Sequence, residues 1–419
     1  VPAESGGQSG DLDLPLPSTL AGMVRTALLE SRGAAIQDDE EVRKTLDVKV
    51  RGPWLVGDAQ DPNVSSKTIW VPAPHDAWSE RNHDWAASNQ NPRVYRAGLS
   101  QHPFGEHCIG PNGHTDDLRA LRTFTQRLHG NGQKADWPVG GSLRYWRLEQ
   151  AIDWATCSEP PPLFEPFGGI QSEPRTHLSL DSQTLTAKEG MLFTSEGRRY
   201  RSDFAIGFSV QSSEIGEALL PGLPVRLGGK GRVATLGKVH PGSLAFPRKT
   251  YQERLDELKK KSTRVGLRLQ LITPGCLDDG PDVAEHPSRP DASSITRAWL
   301  PAWAHPPAQP IPGAEKYGPF ALHAVCMPAR AITVSGWNVR KGAPKRVRRL
   351  IPAGTVYVFE PEATLADPYG LVDICELLWF CSLFAGTVGD KDNFLASPEH
   401  DGFGIVLPGF MPLDAKNEG

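Results

Sequence analysis

The sequence lacks a charge surplus, a paired-cysteine framework and a long apolar run, and each absence excludes something. Its 45 basic and 49 acidic side chains leave a formal charge of −4, so the chain as a whole is no polybasic nucleic-acid coat. Its 6 cysteines, at positions 108, 157, 276, 326, 375 and 381, have no finger spacing. They read as reduced thiols of a cytoplasmic protein rather than as disulfides or a zinc site. The most apolar stretch, Leu371 to Val388, is interrupted by Asp373 and Glu376, which makes it a buried amphipathic helix and not a membrane span. No nucleophile elbow, HExxH, P-loop or EF-hand pattern occurs. Hydrophobic residues make up 39% of the chain, enough for real cores but below the globular average.

What is present is glycine, proline and one concentration of positive charge. Glycine (42) and proline (38) form about a fifth of the 419 residues, a loop-rich composition short of disorder. Between Ser335 and Glu360 the chain reads SGWNVRKGAPKRVRRLIPAGTVYVFE. Arg340, Lys341, Lys345, Arg346, Arg348 and Arg349 fall here with no acid among them. Such a run is either a solvated loop or a polyanion site. Trp337, just before it, is a stacking platform or a core residue.

Periodicity supplies the elements. A helix starts at Ser18 or Thr19, either of which can cap it, and ends near Gly33; its exposed N–H groups suit a phosphate as well. A strand covers Val48–Val56, interrupted at Gly52-Pro53. Residues 80–115 read as a polar insertion, and Thr115 to His129 as a helix. Alternation marks strands at 204–210 and 265–271, and Thr250 to Lys261 is a charged helix. Residues 274–320 look like a surface excursion. Strands near 323–334 and 354–360, a helix over about 370–385 and a short strand in 402–409 close the chain. The order strand, irregular, strand, strand, helix, strand is that of a βαββαβ domain.

Further basic or glycine-rich stretches accompany the run. In LGGKGR, Gly228, Gly229 and Gly231 let the backbone approach a ligand, while Lys230 and Arg232 add charge; a hairpin turn is the plainer reading. GMLFTSEGRRY sets Ser195, Arg198, Arg199 and Tyr200 around a turn. Gly402, Phe403 and Gly404 follow the last helix, and Phe403 is a core residue before it is a stacking one. The rival reading is catalytic. His102, His107, Cys108 and His114, with Asp116 nearby, would form a general base or metal site, although the spacing matches no zinc pattern.

The stretches LPLPSTLAGMVRTALL, GMLFTSEGRRY, LGGKGR, SGW…PKRVRRLIPAGTVYVFE and DGFGIVLPG, in this order over about residues 14–409, resemble the RAMP superfamily. The resemblance is to the third-subunit family of the type III-B (Cmr) CRISPR effector complex. It implies an α+β fold of two tandem ferredoxin-like (RRM-like) domains with glycine-rich loops and irregular insertions, divided at 1–215 and 216–419. A first strand is expected to precede Val1. The resemblance also implies a non-catalytic role without cofactor or metal in antiviral defence. The chain would anchor the 5′ handle of the crRNA, touch the large signature subunit and the backbone RAMP subunits, and meet target RNA only indirectly, with no membrane partner. The expected RNA contacts are Ser18, Thr19, Arg25, Ser195, Arg198, Arg199, Gly228 to Arg232, Trp337, Lys345, Arg346, Arg348, Arg349 and Gly402 to Gly404. The alternative is a RAMP-type metal-independent endoribonuclease that processes repeat RNA.

Overall fold

The computed structural model describes residues 12–57, 67–79, 94–103, 119–123, 137–138, 143–157, 167–180, 184, 186–211, 219–228, 232–237, 244–276, 301–304, 308–326, 332–338, 342–345, 347–362, 369–384 and 396–414. The elements in chain order begin with helices α1 (Pro17–Ser31) and α2 (Asp39–Leu46) and strands β1 (Lys49–Val56), β2 (Ile69–Pro72), β3 (Ala77–Ser79), β4 (Val94–Pro103), β5 (Arg119–Thr123), β6 (Trp137–Pro138) and β7 (Tyr145–Arg147). There follow α3 (Leu148–Thr156), β8 (Ile170–Leu180), β9 (Ala187–Tyr200), β10 (Ala205–Gln211), β11 (Pro224–Arg226), β12 (Val233–Thr235), α4 (Arg248–Lys261) and β13 (Val265–Leu271). The last part holds β14 (Phe320–Cys326), β15 (Ile332–Val334), β16 (Trp337–Asn338), β17 (Ala343–Pro344), β18 (Arg348–Leu350), β19 (Val356–Pro361), α5 (Gly370–Leu378), α6 (Pro398–Asp401) and β20 (Val406–Pro412).

Two larger sheets carry the fold. The larger has the order β20-β13-β19-β14-β5-β4-β3-β6. Within it β20, β13, β19 and β14 are antiparallel neighbours. Their chain order and directions are those of a βαββαβ unit, with α5 in the second crossover; the first crossover includes 277–300, outside the described residues. β5 extends this sheet by parallel pairing with β14, so a single sheet crosses the boundary expected at residue 215. The smaller sheet, β10-β1-β2-β7, is antiparallel throughout.

Helix α1 forms because Leu20, Met23, Val24, Ala27 and Leu28 repeat at helical spacing, and all are buried with Val48 and Val50 in one cluster. In α4 the same logic buries Tyr251, Leu255 and Leu258, and the Tyr251 hydroxyl donates to the Pro408 carbonyl at 2.7 Å. β13 is buried on both faces, covered by α4 and α5 on one side and by the residue 72–77 turn on the other. That second face is polar: fully buried Arg268 makes a bidentate bond to fully buried Asp76, Nε–Oδ2 2.9 Å and Nη2–Oδ1 2.8 Å.

Several sequence expectations are corrected. α1 begins at Pro17 with Leu16 as its N-cap and no side-chain cap, because proline's fixed φ suits the first helical turn; Ser18 therefore does not cap it. Arg119–Thr123, expected within a helix, is a strand, because its backbone pairs with β4 on one side and β14 on the other. Residues 94–103, expected as irregular insertion, supply β4. The excursion 274–320 is no surface loop throughout: Trp303, Ile311, Ala314 and Phe320 lie in the main core. The last long helix ends at Leu378 rather than near 385, after which Phe380 takes φ 51° and turns the chain. GMLFTSEGRRY is not a turn. It lies inside β9, which pairs with β8 over its length as a two-stranded ribbon. The described cysteines (157, 276, 326, 375 and 381) are all free thiols, and among the described residues no helix is long and apolar enough to cross a membrane.

Candidate nucleic-acid interface

The N-terminus of α1 is the point where distant basic and glycine-rich stretches meet. Its first turn has no acid and no side-chain cap, so the positive end of the helix dipole is not neutralised locally. Thr19 and Leu20 N–H both donate to the Leu16 carbonyl, at 2.9 and 3.2 Å. The β11–β12 hairpin packs against this helix: Val225 and Leu236 share its buried cluster. Leu227 N–H donates to the Arg232 carbonyl at 3.0 Å, which closes the hairpin. Gly228 stands at φ +79°, and a Cβ there would lie 3.5 Å from Thr19 Cγ2. Gly228 of LGGKGR thus sits beside Thr19, with Arg232 exposed. Gly229, Lys230 and Gly231 lie outside the described residues.

The basic run reaches the same place from the other side. β15 pairs with β18 in the register Ile332↔Leu350, Thr333↔Arg349 and Val334↔Arg348. Leu350 is buried with Cys276 and Phe403, and Leu16, Ile332 and Val334 pack on them. Leu16 precedes α1 directly, so this small core fixes the run next to the helix start. Above it, Lys345 N–H donates to the Gly336 carbonyl at 2.6 Å, and the Ser335 hydroxyl to the Lys345 carbonyl at 2.9 Å. Partial burial pulls the Lys345 pKa below the ordinary lysine value; Asp401 opposes this, while Arg348 and Arg25 reinforce it. That mutual repulsion is relieved by an added anion. Arg348 Nη1 lies 3.8 Å from Cys276 Sγ. The backbones of Trp337 and Arg349 run in β16 and β18, and Arg346 lies outside the described residues.

Other expected contacts are turned inward. Arg25 donates to Asp401 Oδ1 at 2.5 Å and to the carbonyls of Thr45 (3.1 Å), Val48 (3.4 Å) and His400 (3.3 Å). It is a clamp between α1, the α2–β1 junction and α6, not a surface cation. Gly402, Phe403 and Gly404 are buried, and their amides donate to Glu399, Pro398 and Pro274 carbonyls at 3.2, 3.0 and 2.8 Å. A Cβ on Gly402 would lie 2.6 Å from the Val50 carbonyl, and one on Gly404 would strike the Phe384 ring. These glycines are explained by packing, and Phe403 by the core it occupies. Arg198 is ion-paired with Asp13 and Glu196 at 3.1 and 3.0 Å, whereas Arg199 is exposed. The backbone of Ser195 stands in β9 opposite Arg175.

A cleft of about 290 Å³ opens beside this region. Its walls are the strap of residues 12–16, Pro53, Pro72, His75, Arg144, Tyr145, Pro274, Ile332 and Pro352. His75 Nε2 is 3.1 Å from the Ala353 carbonyl; burial holds its pKa below the usual histidine value, against the Ala353 bond and Asp76. Arg144 and Asp13 escape a reading of local sequence because neither stands in a basic or glycine-rich run. Of the catalytic alternative, His107, Cys108, His114 and Asp116 lie outside the described residues. Among the described residues no group of three or more His, Cys, Asp or Glu could hold a metal.

Residues 3–409 match the model of a family described as CRISPR-associated protein (Cas_Cmr3). No curated protein matches. Among solved structures the chain is similar to a cryo-EM structure of the type III-B Cmr-beta bound to cognate target RNA. There the identity is 14% and the TM-score 0.38, over 85% of this chain and 80% of that chain. A second, of the Cmr-beta bound to cognate target RNA and AMPPnP in state 1, gives 14% and 0.38 over 83% and 78%.

Proposed function

Since the chain belongs to the CRISPR-associated Cas_Cmr3 family, we propose that it is an RNA-binding, non-catalytic subunit of a type III-B CRISPR ribonucleoprotein. It anchors the 5′ handle of the crRNA at the surface around the α1 N-terminus and acts in the cytoplasm in antiviral defence. The large signature subunit and the backbone RAMP subunits are its protein partners, and target RNA is met through them. The fold is read as two tandem ferredoxin-like domains; the strand order of β20, β13, β19 and β14 supports the second.

The observation that carries this reading is convergence. Ser18 and Thr19, the LGGKGR hairpin and the 335–349 run are far apart in sequence. The described structure brings them together through two small cores, one under Val225 and Leu236 and one under Leu16 and Leu350. A solvated basic loop needs no such neighbours. Arg and Lys hold the phosphates and set the register, and backbone and stacking contacts read the bases. Arg25 and Gly402–Gly404 stabilise the surface from beneath rather than touch RNA.

The test is guide-RNA retention by the purified effector complex carrying Arg232→Glu with Lys345→Glu. Binding should weaken, and the dependence of log affinity on log salt should become shallower by about 1–2, close to one for each phosphate that no longer meets a cation. RNA content and salt dependence equal to wild type would refute the placement. Chelator-insensitive cleavage of repeat RNA by the chain alone, abolished by His107→Ala or His114→Ala, would replace it with the endoribonuclease reading.

A further inference from the structure

At the rim of the cleft one carboxylate is held between two arginines from different elements. Asp13 Oδ2 is 3.0 Å from Arg144 Nε, and its Oδ1 is 3.1 Å from Arg198 Nε. The Tyr200 hydroxyl donates to the Asp13 carbonyl at 2.5 Å. Arg144 stands just before β7. Arg198 and Tyr200 stand on one face of the ribbon, opposite Ser172 and Ile170. Each guanidinium has a second tether that does not depend on Asp13. Arg144 Nη2 donates to the Ile170 carbonyl at 3.1 Å, and Arg198 Nη1 lies 3.0 Å from Glu196 Oε1.

We infer that Arg144 and Arg198 form a binding site for an RNA backbone phosphate, and that Asp13 is the resident carboxylate which that phosphate displaces. This rests on the RNA-binding reading above. Guanidinium groups converging from two elements onto one oxyanion are the arrangement a phosphate takes. A carboxylate and a phosphodiester each carry one negative charge, so the exchange leaves the local charge balance unchanged. The groups are partly exposed: the Arg144, Arg198 and Asp13 side chains are 36%, 21% and 15% exposed, and Arg144 and Asp13 line the cleft. The strap has its own anchors in Leu14, packed against Leu55, Trp70 and Tyr145, and Leu16, packed under the basic run. Release of Asp13 therefore requires a side-chain rotation and not detachment of the strap. The strap leads directly into α1, which begins at Pro17.

The consequence is competition: the free protein binds RNA more weakly than its arginines allow. The experiment is fluorescence anisotropy of the full chain with labelled single-stranded repeat RNA across a salt series. The variants are Asp13→Asn, Arg144→Gln/Arg198→Gln, and the two combined. Asp13→Asn should bind about three- to tenfold more tightly, as expected for removing a partly exposed ion-pair competitor. Arg144→Gln/Arg198→Gln should bind more weakly, with a salt slope shallower by about 1–2. In that background Asp13→Asn should change nothing. The inference is overturned if Asp13→Asn, folded by circular dichroism, binds no tighter, or if its gain survives removal of both arginines. A wild-type salt slope in Arg144→Gln/Arg198→Gln overturns it without reference to Asp13. Arg232→Glu separates the two readings. If it weakens binding while the Asp13 and arginine variants do not, only the phosphate site fails. If wild type itself shows no salt-dependent RNA binding, the RNA-binding reading fails.

Discussion

Replacing Asp76 by alanine should destabilise the protein more than any surface change, and the structure sets the size. Asp76 and Arg268 are both fully buried. Asp76 accepts two bonds from Arg268 and one from the Trp154 indole N–H at 3.0 Å. Arg96 completes the group: it donates to the Trp154 and Cys157 carbonyls, with its guanidinium 4.6 Å from the Trp154 ring centroid. Burial pulls the Arg96 pKa down to about 10, and Asp76 opposes that fall. Removing the carboxylate leaves the Arg268 charge uncompensated in the core, at a cost of about 3–5 kcal/mol. Against a total stability of about 5–15 kcal/mol this is decisive. In urea unfolding followed by tryptophan fluorescence, the midpoint should fall by about 1 M or more. The paired substitution Asp76→Leu/Arg268→Met removes both charges and should recover most of the stability. A single-variant cost below about 1 kcal/mol, or a double variant no better than either single, would refute the reasoning. The acid limb has a fixed sign. Burial raises the Asp76 pKa, but Arg268, Arg96 and Trp154 outweigh it and hold the pKa below the ordinary aspartate value. The contribution is therefore full above that ordinary value and disappears as pH falls through the lower folded one.

Other expectations are shorter. Arg25→Ala removes the clamp between α1, the α2–β1 junction and α6 and should cost about 2–3 kcal/mol, read by urea unfolding, with the salt slope of RNA binding unchanged. Gly404→Ala places a methyl group against Phe384 at φ +68° and should cost about 2–4 kcal/mol in the same assay. At Asp414, desolvation raises the pKa, but bonds from Ser262 and Thr263 outweigh it and hold the pKa at about 2. Its stabilisation is complete above the ordinary aspartate range and disappears as pH falls towards about 2. Asp414→Asn should flatten that part of the stability–pH curve, measured as urea midpoint against pH.

Periodicity was a good guide where one face of an element decides its burial. The stripe in α1 and the tyrosine and leucines of α4 follow from side chains meeting a single core, and the leucines of β13 do the same on one face, although Arg268 and Gln270 are buried on the other. It failed where backbone pairing decided. Arg119–Thr123 has helix-compatible spacing, yet it is held as a strand by neighbours on both sides. GMLFTSEGRRY reads as a turn because of its glycines, yet β8 supplies a partner rung by rung. Polarity misled as well. Trp303 and Phe320 lie within a proline-rich stretch that looks exposed, but they fill the core beside α5.

The candidate interface divides in the same way. Charge and glycine content marked the 335–349 run, the LGGKGR hairpin and the arginines of β9 without any coordinates, because these are properties of short stretches. Which of those residues face solvent depends on partners far away in the chain. Arg25 became a clamp because Asp401 and His400 reach it. Gly402–Gly404 became packing residues because β1 and Phe384 approach them, and Arg198 acquired Asp13 across the strap. The sequence alone determined the family, the local charge and the elements α1, α4, α5, β1, β10, β13 and β19, since each is encoded within neighbouring residues. Only the tertiary structure decided which cations meet at the start of α1 and which are neutralised inside, since that depends on contacts between residues hundreds of positions apart.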